Sequence, residues 1–72
     1  MGLAVRPKTM VKFIESEGFR FVAQKGSHRK FSNGINITTI PMHNEDLTAG
    51  TLRAILKDTG LSRQELEKYL GR

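Results

Sequence analysis

Apolar residues follow two rhythms along this chain, a helical one near each end and a strand-like one between them. Met10, Phe13 and Ile14 recur at three- and four-residue intervals, and Val11 broadens their stripe. Pro7 stands where a first helical turn tolerates proline, and Gly18 is a natural stop, so the spacing predicts a helix between them. Beyond it Phe19, Phe21 and Ala23 alternate with Arg20, Val22 and Gln24, which is the period of a strand. Val22 breaks the polar side of that pattern, so this face is expected to be half covered.

Lys25-Gly26 turns the chain, and residues 28–31 begin a second strand. Asn33-Gly34 signals the next hairpin, with a third strand over residues 35–40. Loop length decides the register. A two-residue loop sets Phe31 opposite Asn36, whereas a three-residue loop, Ser32-Asn33-Gly34 with Gly34 left-handed, sets it opposite Ile35. The second choice is preferred, because Phe31, Ile35 and Ile37 then share the core face. His28, Lys30, Asn36 and Thr38 share the other, where the histidine meets solvent or substrate. Pro41 ends the sheet.

Residues 42–47 read as a loop. Thr48 caps a second helix whose core stripe is Leu52, Ile55 and Leu56, with Gly60 as its stop. A last short helix starts at Ser62, where Ser62 and Glu65 form a capping box and Leu61 and Leu66 a hydrophobic staple. The order is α-β-β-β-α-α. It predicts an α+β fold, a small three-stranded antiparallel sheet with helices on one face. No repeat or linker divides the chain, so residues 1–72 are expected to form one domain, with 1–6 as a loose N-terminal tail.

Composition narrows the function. The 72 residues include no cysteine, which removes disulfides and thiolate metal sites. No apolar run approaches the roughly 20 residues that span a bilayer, and no secretory signal is visible, so a soluble, cytoplasmic protein is expected. The formal net charge is +5, but its placement matters more. Residues 18–44 contain no aspartate or glutamate, yet hold Arg20, Lys25, Arg29, Lys30 and both histidines. Such segregation gives the central segment a positive field, and nucleic acid is the commonest polyanion it serves.

Within that segment Lys25-Gly26-Ser27-His28-Arg29-Lys30 sets one imidazole among three fixed cations. An imidazole moves a proton near neutral pH, and the cations attract a phosphodiester. RNA carries its own nucleophile, the ribose 2′-hydroxyl, so a base, a proton donor and cations suffice to cleave it. His28 suits the base; Lys25, Arg29 and Lys30 suit phosphate contacts; Gly26 and Ser27 shape the turn. His43 is a second candidate, as proton donor, or else in loop packing or as a contact to RNA or a protein partner. The two histidines, with Glu45 and Asp46, lack the spacing of a metal-ligand set, and no cofactor is expected. Two other classes would use the same charge: a non-catalytic module that binds duplex RNA through its phosphates, and a protein that docks an acidic partner.

The combination of Gly18-Phe19, Lys25-Gly26-Ser27-His28, Pro41 with His43, Leu47, Gly50-Thr51-Leu52-Arg53 with Ile55-Leu56, and Gly60-Leu61 resembles the HicA family of toxin mRNA interferases. The likeness covers nearly the whole chain, from about Thr9 to Leu70. It implies a fold like that of double-stranded-RNA-binding domains and a ribonuclease that degrades messenger RNA and slows growth in a bacterial or archaeal cell. It also implies that His28 is the catalytic histidine, and that a HicB-like antitoxin covers the active site. Family members often carry proline where Thr48 stands, a departure that touches only the start of the second helix.

Overall fold

Helix α1 (Pro7–Ser16) begins on a proline whose missing N–H would have no partner there, and ends where Gly18 turns the chain at φ +96°. It buries Met10, Phe13 and Ile14, the stripe read from the spacing. Strands β1 (Arg20–Lys25), β2 (His28–Ser32) and β3 (Ile37–Pro41) follow, then helices α2 (Ala49–Thr59) and α3 (Arg63–Tyr69). The three strands form one antiparallel sheet in the order β1-β2-β3. The expected α-β-β-β-α-α arrangement of the α+β class is therefore the observed one. These elements come from a computed structural model, which describes residues 3–72.

Both C-terminal helices start as their sequences dictate. Thr48 accepts the Thr51 N–H through its hydroxyl, and Gly60 closes α2 at φ +74°. Ser62 and Glu65 satisfy each other's backbone N–H groups in a complete capping box. Helix α3 buries Leu66, and its Tyr69 ring tilts against Phe13 of α1 at 5.3 Å. Phe19, Phe31 and Ile40 meet Leu52 and Ile55 in the core. The helices thus cover one face of the sheet and leave the other open. Residues 1 and 2, part of the expected tail, lie outside the described residues. From residue 3 onward the tail is not loose: Val5 is buried, Leu3 packs on the core, and the Val5 carbonyl accepts the Leu47 N–H at 2.8 Å.

The sheet departs from expectation in its β2–β3 register. Phe31 pairs with Thr38 rather than Ile35. Ile35 is 87% exposed and Ile37 57%, while Thr38 and Ile40 turn inward. The cause is Asn33, whose carboxamide oxygen accepts the N–H groups of Ile35 and Asn36 at 2.9 and 2.7 Å. This local turn draws a fourth residue into the loop, and an odd shift in pairing moves every β3 side chain to the other face. Buried Thr38 meets its polar need by donating to Asp58 Oδ2 at 3.3 Å, and the Asn36 amide reaches the Thr59 carbonyl.

A bulge adjusts β1 as well. Arg20 and Phe21 pair with Ser32 and Phe31, but Ala23, Gln24 and Lys25 pair with Lys30, Arg29 and His28, which leaves Val22 as the extra residue. That slip lets the Phe21 ring meet the edge of Phe31 at 6.1 Å while Lys25 stays on the open face beside His28. A strand of unbroken alternation would set Phe21 and Lys25 on one face.

Candidate functional site

The β1–β2 hairpin builds the first half of the site. Lys25 and His28 are its closing pair, and Gly26-Ser27 is the loop. Gly26 has φ +58°, and among the described residues no non-glycine has positive φ. Those signs fit a type II′ turn, in which glycine takes the first central position. Cross-strand partners share a face, so Lys25 and His28 stand side by side on the open face. Lys30 follows two residues later on that face, opposite Thr39. With Ala23, Gln24 and Thr39 these three line a shallow groove of about 380 Å³. His28 is exposed within it.

Arg29 takes the other face, as alternation requires. Its Nε donates to Gln24 Oε1 at 3.2 Å. Ser27 contributes its backbone: its carbonyl accepts the Met42 N–H at 2.6 Å. That bond ties the loop after β3 to the hairpin and delivers His43. The His43 ring stands edge-on to the His28 ring, with centroids 6.3 Å apart and planes at 84°. Pro41 pairs with His28, so a residue two positions beyond Pro41 falls at the same end of the sheet. Without the register, the sequence left this separation open.

The far side of the His43 loop is anchored by the N-terminal segment. Arg6 Nε pairs with Asp46 at 3.2 Å, and its guanidinium also donates to the Asn44 carbonyl. A second groove of about 560 Å³ opens here, lined by Arg6, Lys8, Arg29, Met42, His43 and Asn44 among others. Arg6 and Lys8 escaped the sequence reading, because nothing local links the start of α1 to a loop over thirty residues later.

Charge beside His28 is one-sided, whereas His43 shares a small pocket with Glu45 and Asp46. Residues 18–44 contain no carboxylate, and the ion pairs Arg6–Asp46 and Arg63–Glu67 involve neither Lys25 nor Lys30. Two imidazoles in contact can take and return a proton, while neighbouring ammonium groups hold an anion. Among the described residues, no three His, Cys, Asp or Glu side chains gather as metal ligands. None of the described helices is long and apolar enough to cross a membrane.

Residues 7–61, from the first turn of α1 to just past α2 and including both imidazoles, match the family model described as HicA toxin of bacterial toxin–antitoxin systems. No curated protein matches the chain. The match takes in well over half of the sequence, and the chain belongs to the HicA toxin family, the toxins of bacterial toxin–antitoxin systems.

Proposed function

We propose that this toxin is an endoribonuclease that cleaves messenger RNA by proton transfer through its histidines, with no metal taking part. The supporting observation is the contact of His28 and His43 at the end of a groove lined by Lys25 and Lys30. His28 accepts the proton of a ribose 2′-hydroxyl. The 2′-oxygen attacks the adjacent phosphorus, and the bond from phosphorus to the 5′-oxygen breaks. His43 supplies the proton that the departing 5′-oxygen takes up. The products are a 2′,3′-cyclic phosphate and a free 5′-hydroxyl. Lys25 and Lys30 offset charge that builds on the phosphorane, and the turn at Gly26-Ser27 holds the base in place. A cytoplasmic, HicB-like antitoxin that covers this face would silence the enzyme.

Purified protein incubated with RNA in excess EDTA tests the reading. Cleavage should proceed, and His28→Ala should slow it by ~10²–10⁴-fold while RNA binding is kept. Intact RNA at high protein concentration would leave only a binding module, and undiminished cutting by His28→Ala would move the chemistry elsewhere.

A further inference from the structure

Beyond His43, the groove at the start of α1 holds cations that proton transfer does not use. Arg6 is occupied by Asp46. Among the described residues, Lys8 has no carboxylate partner, and Arg29 donates to the neutral Gln24 amide. His43 lines this groove, while its ring touches His28, which lines the groove on the opposite face. The two grooves share no lining residue, but each contributes one imidazole to the pair that stands between them at the end of the sheet.

We infer that the groove formed by Lys8 and Arg29 is a second phosphate subsite, through which a single strand of RNA passes around the sheet end after crossing His28 and His43. This rests on the nuclease reading for the position of the scissile phosphate, but not for binding itself. Lys25 and Lys30 hold the chain on the open face; Lys8 and Arg29 hold a neighbouring phosphate on the helix side. A path that turns from one face of a three-stranded sheet to the other suits a flexible strand. A duplex is far too stiff for it.

The test uses Lys8→Glu and Arg29→Gln in the full chain. An acidic residue suits the first turn of a helix, so Lys8→Glu reverses the charge without weakening α1. A short single-stranded RNA with methylated 2′-oxygens, which cannot be cut, is titrated by fluorescence anisotropy over a salt series. Each variant should weaken binding at least about threefold and flatten the plot of log affinity against log salt by about 0.7. Cleavage of a dinucleoside monophosphate, which holds only the scissile phosphate, should stay at the wild-type rate in Lys8→Glu. Unchanged affinity and slope would overturn the subsite, as would an equal loss on the dinucleotide. Equally tight binding of a duplex of the same length would overturn the single-strand path. If the wild type cuts nothing but the slopes still fall, the nuclease reading fails and the subsite stands. Should it cut normally with slopes unmoved, the subsite alone is lost.

Discussion

At the scale of single residues, Gly26 decides where His28 points. A Cβ built on Gly26 meets nothing within 4 Å, so an alanine there is opposed by its φ of +58° alone. Left-handed backbone costs a residue with a side chain roughly 1–2 kcal/mol. Gly26→Ala should lose about that much in denaturant unfolding, and cleavage should fall as the Lys25–His28 pair loosens. Ser27→Ala should stay within about 0.5 kcal/mol, because Ser27 serves the site through its carbonyl. Equal stability of Gly26→Ala and wild type would show that the turn is not what aims the histidine. His43→Gln should slow cleavage by ~10²–10⁴-fold while RNA binding is kept. An undiminished rate would return His43 to a packing role.

Elements show what was legible and what was not. The helices could be read because their signals are local: Pro7, the Thr48 cap with Gly60, and the box of Ser62 with Glu65 all act within a few residues. The face of His28 and Lys30 was also legible, since alternation within β2 fixes it relative to buried Phe31. The β3 register was not. It depends on an Asn33 side chain that takes two backbone N–H groups, and on a buried Thr38 whose partner Asp58 lies 20 residues away. An apolar pattern favours burying Ile35 and Ile37, and the turn overrides it. The contrast can be measured. Asn33→Ala should lose about 1 kcal/mol through two exposed hydrogen bonds, while Ile35→Lys should remain within about 0.5 kcal/mol. A loss of several kcal/mol for Ile35→Lys would restore the three-residue loop.

Across the whole molecule, charge is sorted by layer. The chain folds to a radius of gyration of 11.2 Å, so no point on it is far from the net charge of +5. Ions screen exposed charges over about 8 Å at physiological strength, which makes local placement outweigh the total. Every acid lies outside residues 18–44, and the open face of the sheet is left with Lys25, Lys30 and His28. On α2, Arg53 and Lys57 are also exposed but stand on the helical layer. Two double variants with identical charge change therefore separate field from site. Lys25→Gln with Lys30→Gln should flatten the salt dependence of RNA binding by about 1.4, or about 0.7 for each lost phosphate contact on a single strand. It should also slow cleavage. Arg53→Gln with Lys57→Gln should alter the slope by less than half of that and leave the rate nearly unchanged. Equal effects of the two pairs would mean that RNA senses only the total charge, and the alignment of a cationic groove with His28 and His43 would have no bearing on catalysis.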